Sequence, residues 1–328
     1  DSVCPLHHNP PEYTMVMDTI FNVTVASWLA PDWKALYDHV SNKANLFDHR
    51  DPNGLLYSLN LNGKISNAPE LVRIIRTAVD ISQKSQGAFD PTILPVITLW
   101  DIEHGGKLPS QDQITSALKF VDFRKISISG DGSAYLASGT KLDLGGIAKG
   151  SVVDDAAAFL DSKGYTNYLV EAGGDILIRD RKPDGSQWTI AIRSPRLPGV
   201  QITSPQFSSG SLPFTGLVKM GEPGKKVAIV TSGDYERFFV KDNTAYHHLI
   251  DPATGYPADG AASVTVIAPN CETADALATA AFVLGYEKGL ALLESLPQVE
   301  GLIIRDNGDG TTEMKTTSGF PAIISINL

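Results

Sequence analysis

The sequence predicts a globular fold in which helices and strands are interleaved from one end to the other. Segments with apolar residues at helical spacing alternate along the chain with short β-branched or strictly alternating runs. Prolines and glycines punctuate their boundaries. Hydrophobic residues make up 42% of the 328 residues and charged residues 20%, which is enough apolar material for a substantial core. The length fits about two domains' worth of chain or one large domain. With no composition shift and no internal repeat to divide it, residues 13–328 read as one domain behind a flexible leader of residues 1–12, which holds three prolines.

The elements follow in order. Thr14–Ala26 is strand-like, and Pro31 precedes a helix from Asp32 to about Phe47. A second helix spans 69–85, with Leu71, Ile74, Ile75, Ala78, Val79 and Ser82 at helical spacing, and Gly87-Ala88-Phe89-Asp90-Pro91 stops it. Short strands are expected near 125–129, 134–137 and 141–144, then a helix from about Ala148 to Ser162, ended by Gly164. Residues 166–192 read as strands, and 194–216, rich in Ser, Pro and Gly, as a long loop. A βα pattern covers 261–289, and 300–326 reads as paired strands around Asn307-Gly308-Asp309-Gly310.

Charge and cysteine content exclude several function classes. The net charge is -10, and the longest basic cluster is Lys225-Lys226. A protein that holds nucleic acid by its phosphates needs a basic surface, so that class is set aside. A single phosphate ligand stays possible where a metal ion supplies local positive charge. Cys4 and Cys271 form no Cys-x-x-Cys pair, which rules out a cysteine-only zinc site. A disulfide between them is the less favoured alternative, given the loose leader. No apolar run approaches the ~20 residues of a membrane span. The first residue is Asp1 rather than Met, which reads as a processed or trimmed chain with any targeting signal out of view.

Four segments carry candidate chemistry. Leu142-Asp143-Leu144-Gly145-Gly146-Ile147-Ala148-Lys149-Gly150 reads as strand, glycine turn and helix start, where backbone N–H groups can approach an anion. It lacks the order of a Walker loop and serves equally as a tight turn with a solvated Lys149. Glu171-Ala172-Gly173-Gly174-Asp175 follows an apolar strand and alone reads as a turn or bulge. Thr231-Ser232-Gly233-Asp234-Tyr235 and His247-His248-Leu249-Ile250-Asp251-Pro252-Ala253-Thr254-Gly255 gather hydroxyls, histidines and carboxylates. A histidine near a carboxylate can act as a general base, and adjacent strand histidines face opposite sides, so at most one serves a given cleft. In the last helix, Asp275 and Thr279 are four apart and share a face, opposite a core stripe of Leu277, Ala281 and Leu284. A carboxylate and a hydroxyl so placed can supply hard oxygen ligands to Mg²⁺.

Together these segments resemble the ApbE family, the FAD:protein FMN transferases, from about Met17 to Gly285. The resemblance rests on Gly87 to Pro91, Leu99-Trp100, Asp143 to Gly150, Gly173-Gly174-Asp175, Thr231 to Tyr235, His248 to Gly255, and Asp275 to Thr279, in the family's order. It implies an α+β fold with a T-fold-like core, mixed sheets and helices packed on them. FAD is then the substrate, bound by Met17, Asp90, Lys149, Glu171, Gly173, Gly174, Asp175, Thr231, Ser232, Gly233 and Asp234. Mg²⁺ is held by Asp275, Thr279 and the Ala148 carbonyl. His248 is the general base, and Asp251 supports it or a second metal. The implied reaction moves FMN from FAD to a Ser or Thr hydroxyl of an acceptor flavoprotein carrying a motif like Asp-x-x-x-Ser/Thr-Gly/Ala-Ala-Ser/Thr, and releases AMP. Two rivals keep the fold: hydrolysis of FAD to FMN and AMP, and non-catalytic FAD binding.

The sequence departs from the family at Met17-Asp18-Thr19, where Met-Gly-Thr is usual, and at Gly54-Leu55, where a Ser-Glu pair precedes the Leu59-Asn60 step. Both changes fall on the side expected to contact flavin or adenine. Most relatives act outside the bacterial cytoplasm, which makes the periplasm or cell envelope the expected location, with the cytosol as the alternative. Cys4 lacks the small preceding residue of a lipid-anchor site.

Overall fold

The structure, a computed structural model, describes residues 3–325; residues 1–2 of the expected leader and 326 of the expected tail lie outside it. The chain opens with β1 (Leu6–His8), β2 (Met15–Val16) and β3 (Thr19–Ala26). β1 corrects the expectation of a loose leader. Leu6 pairs with Ala26 and His8 with Thr24, so this segment is the edge strand of the main sheet. β2 and β3 are joined by Met17 and Asp18, both left-handed at φ 53° and 56°. That is the two-residue hairpin turn whose twist matches its strands, and Asp is among the residues that tolerate it.

Helix α1 (Trp33–Leu46) starts where Asp32 accepts the Ala35 N–H at 3.0 Å. Then come α2 (Leu55–Asn62), β4 (Lys64–Ile65), α3 (Pro69–Lys84), α4 (Leu94–Trp100), α5 (Gln111–Leu118), β5 (Ile126–Ile128), β6 (Ala134–Leu136) and α6 (Gly145–Ser162). Residues 141–144 are not the expected strand. The Asn60 side chain clasps Leu142 instead, donating to its carbonyl at 2.8 Å and accepting its N–H at 2.7 Å. The remaining strands are β7 (Tyr168–Ala172), β8 (Asp175–Arg179), β9 (Trp188–Arg193), β10 (Phe214–Met220), β11 (Lys226–Gly233), β12 (Phe238–Lys241), β13 (Thr244–His247) and β14 (Ser263–Ala268); α7 (Cys271–Ser295), β15 (Glu300–Asp306) and β16 (Thr312–Thr316) complete the chain.

The main sheet runs β1-β3-β7-β8-β11-β14-β15-β16, with β2 on β3, and every pairing is antiparallel. Period-two alternation assigns its side chains to two cores. Val170, Leu177, Val230, Val266 and Ile303 face α1, α3, α6 and α7. Ile178, Ile229, Ile267, Leu302 and Ile304 face Trp188, Ile192, Val218 and Met220 of the β9–β10 hairpin. The stretch expected as loop to residue 216 thus ends early, because β10 starts at Phe214 and covers the far face of the sheet. Strand β14 is buried along its whole length for the same reason.

Helix α7 is long and apolar enough to cross a membrane by length and composition, unlike the expectation from apolar runs. It is instead the central helix of the larger core, almost wholly buried in its first three turns and partly exposed towards its end; Asp275 is 1% exposed. The picture of a core stripe facing a ligand stripe is therefore corrected: Asp275 is enclosed, and Leu284 lies only half-buried. Helix α6 packs directly on α7 because Gly150 lacks a side chain. A Cβ there would stand 2.3 Å from the Cys271 carbonyl oxygen.

Candidate active site

The first turns of α6 and of α7 and the β7–β8 corner converge on one lysine. Lys149 places its ammonium 3.0 Å from Asp175 Oδ2 and 3.4 Å from Asp275 Oδ1. The Gly150 N–H donates to Asp275 Oδ2 at 3.1 Å. Asp175 is fully buried, and its Oδ1 has no hydrogen-bond partner. Burial, then the neighbouring Asp275, pushes its carboxyl well above the usual range, against the pull of Lys149. Burial works against the Lys149 charge, but Asp175, Asp275 and Glu236 outweigh it and hold the ammonium protonated.

The glycines predicted to line this site have steric reasons. Gly173 and Gly174 form a two-residue turn at φ 57° and 94°, so Asp175 begins β8 directly beneath it. A Cβ on Gly173 would stand 2.3 Å from Thr19 Oγ1 of the Met17-Asp18 hairpin. A Cβ on Gly146 would stand 3.2 Å from Thr279 Oγ1, which brings the start of α6 against Thr279. Ala148 lies between these contacts in the same turns, and Glu171 accepts from Asn22 Nδ2 at 3.3 Å.

His247 ends β13 and His248 follows it outside the strand, and the two rings meet different partners. His247 is buried edge-on to Phe282, with Nε2 2.7 Å from the Ala258 carbonyl oxygen. His248 is half-buried, with Nδ1 3.2 Å from the Arg237 carbonyl oxygen. A carbonyl cannot donate, so Nδ1 carries the proton and the Nε2 lone pair is open. Burial, then His247, Arg237 and Lys149, pushes the His248 pKa down to about 3, so the imidazole is neutral.

Other predicted residues are committed elsewhere. Asp90 caps the turn after it, accepting from Thr92 N–H and hydroxyl at 2.8 and 2.6 Å and from Phe123 N–H at 2.9 Å. Asp234 is held by both guanidinium nitrogens of Arg196 at 2.8 and 2.7 Å. Thr231 shares a 2.8 Å hydrogen bond with Thr265 on the neighbouring strand. Ser232 and Gly233 lie in the same buried strand end, and Asp251 Oδ1 accepts the Ala253 N–H at 2.8 Å within its own turn.

The departures from the family pattern have local explanations. Asp18 bonds Arg50 at 3.2 Å. Arg50 also pairs with Asp48 and Glu103, and Glu103 with Arg237, so a chain of charges links four separate segments. Gly54 sits against backbone: a Cβ would stand 2.6 Å from the Asn45 carbonyl oxygen, so no serine fits there without movement.

Sequence reasoning missed Glu236, Arg237, Arg196 and Arg50. Glu236 is exposed beside Lys149, and partial desolvation pushes its carboxyl up against the pull of Lys149 and Arg237. Its position directly after Thr231–Tyr235 was the available signal. Arg196 and Arg50 lie in irregular segments with none.

An antiparallel sheet backed by two packed helices, with buried carboxylates, a lysine and a neutral histidine gathered at one corner, defines an α+β enzyme fold with a charged, polar corner. The ApbE family model matches residues 17–303. The FAD:protein FMN transferase of Treponema pallidum is 35% identical over 266 residues, 74% of this chain and 69% of that protein. The one from Vibrio cholerae is 32% identical over 77% of this chain and 72% of its own length. Solved structures agree: the ApbE protein of Thermotoga maritima superposes with a TM-score of 0.79 at 28% identity over 93% and 95% of the two chains. The flavin transferase ApbE of Vibrio cholerae also gives 0.79, at 26% identity over 97% and 98%. The chain belongs to the ApbE family of FAD:protein FMN transferases.

Proposed function

We propose that this enzyme cleaves FAD and transfers its FMN half to a Ser or Thr hydroxyl of an acceptor flavoprotein, releasing AMP. The observation that carries the reading is the His248 imidazole, fixed in the tautomer that leaves Nε2 free to accept a proton. The acceptor hydroxyl gives its proton to Nε2 as its oxygen bonds the FMN-side phosphorus. The bond from that phosphorus to the bridging oxygen breaks, and AMP leaves with the electron pair. The negative pyrophosphate of bound FAD raises the basicity of His248 above its value in the free enzyme, because an opposite charge favours the protonated imidazole.

The donor set suits Mg²⁺: hard oxygens from Asp275 and Thr279 one helical turn apart, the Ala148 carbonyl on the facing helix, and the unpartnered Asp175 Oδ1 nearby. Among the described residues no three His, Cys, Asp or Glu side chains converge, so this set relies on neutral oxygens around few carboxylates. Mg²⁺ bound there supplies charge neutralisation to the pyrophosphate and the leaving phosphate. Lys149 adds positive charge at the same corner, and the Gly173-Gly174 turn lets a ligand approach the backbone.

The test incubates the protein with FAD, Mg²⁺ and a fragment carrying the Asp-x-x-x-Ser/Thr-Gly/Ala-Ala-Ser/Thr motif, with intact-mass analysis of the fragment and an AMP assay. The expected result is a gain of one FMN less one water, abolished by EDTA and by His248→Ala. AMP with free FMN and an unmodified fragment would replace this reading with hydrolysis.

A further inference from the structure

The segment between β9 and β10 is anchored to the catalytic corner rather than lying free on the surface. Its base is closed by the Ser194 N–H donating to the Pro213 carbonyl at 2.8 Å. Near its start, Arg196 turns inward, 11% exposed, and grips Asp234 with two hydrogen bonds and Asp306 with a third at 2.6 Å. At its tip, the Phe207 ring stands edge-on to Phe238, 5.8 Å between centroids. Phe238 is the strand partner of His247, and the residue before it, Arg237, holds His248 through its carbonyl. On the other face of that hairpin, Phe239 stacks on Tyr246, which lies against Trp100. The β12–β13 hairpin that leads into His248 is therefore held between Trp100 of α4 and the tip of this segment.

The chemistry of the two flanks differs. Asp18, Arg50, Glu103 and Arg237 form the charged chain described above. Between Pro195 and Pro213 the only charged residue is Arg196, and it faces inward. The outward surface carries Gln201, Gln206 and Ser208, all exposed. Neutral amides and hydroxyls cannot compensate the double negative charge of a pyrophosphate, but they hydrogen-bond a polypeptide backbone adaptably. We propose that residues 194–213 form the wall on which the acceptor polypeptide docks, with Arg196 and Phe207 as positioning residues that hold it beside His248. The inference rests on the transfer reading and deepens it by naming the surface that selects the partner.

The experiment measures initial flavinylation rates against acceptor-fragment concentration at saturating FAD, and against FAD at saturating fragment. It compares wild type, Phe207→Ala, and the double variant Gln206→Glu with Ser208→Glu, whose new charges lie on exposed positions. The acceptor KM rises about fivefold or more in both variants, while kcat and the FAD KM stay within about twofold in the double variant, whose positions lie outside the Phe207–Phe238 contact, as for loss of an interface contact. Thermal unfolding midpoints confirm that each variant is folded. An acceptor KM unchanged in the double variant overturns the docking surface while leaving transfer intact. A wild-type enzyme that leaves the fragment unlabelled overturns both.

Discussion

His248 shows how one carbonyl can decide a residue's chemistry. The Arg237 carbonyl fixes the proton on Nδ1, and neighbouring positive charge with burial keeps the ring neutral. Removing it as His248→Ala is expected to lower transfer by about two to four orders of magnitude while FAD binding persists, measured by flavin fluorescence titration. The acid limb of kcat/KM for the free enzyme is expected well below the ordinary histidine value of about 6.5, since the free imidazole resists protonation. His247 makes a separate prediction. Burial lowers its pKa against Asp234 and Asp259, which favour the charged form, and with Arg196, which disfavours it. The neutral ring is the folded form, so unfolded chains take up the extra proton below about pH 6.5. Its contribution is complete above that pH and is lost as pH falls. In urea titrations, His247→Gln is expected to flatten the decline in midpoint between about pH 7.5 and 5. Arg196 belongs at this scale too: Arg196→Ala leaves the buried Asp234 carboxylate unpaired, a loss of about 3–5 kcal/mol in chemical denaturation. Adding Asp234→Asn should recover a large part of it.

Helix and hairpin contacts explain why the site forms where it does. Helices α6 and α7 meet at Gly150, and their closeness sets the Asp275–Gly150 hydrogen bond. Gly150→Ala drives a methyl into the Cys271 carbonyl and is expected to destabilise by about 1–3 kcal/mol, with loss of transfer. Gly130→Ala is the control, because a Cβ there meets nothing within 4 Å. Some elements were legible from local signals. Asp32 and Pro69 marked the starts of α1 and α3 within a residue. Helix α5 was overlooked although its capping box, Ser110 with Gln113, stands in the sequence. Helix α2 was overlooked for a better reason: its eight residues, mostly leucine and asparagine, show no clear polar face.

At the scale of the molecule, the sheet separates two cores and the site lies at one end of the larger. Two buried carboxylates share one lysine there, so cation and anionic substrate are expected to bind cooperatively. FAD and Mg²⁺ together should raise the unfolding midpoint by more than the sum of their separate effects in a thermal shift assay; saturation at about 100-fold over Kd corresponds to ~2.7 kcal/mol. Additive shifts would contradict a shared site.

The sequence by itself determined the order of motifs, the helix starts at Asp32 and Pro69, and the placement of Asp275 and Thr279 one turn apart on one helix. These are matters of period, capping and spacing within a few residues. Only the tertiary structure decided that Lys149 lies between Asp175 and Asp275, that Asp234 is given to Arg196, and that Asp18 is answered by Arg50. Those partners lie 26 to 126 residues apart for Lys149, 38 for Asp234 and 32 for Asp18. Such distant groups become neighbours only when the sheet closes its register, and burial then fixes which charges must be paired.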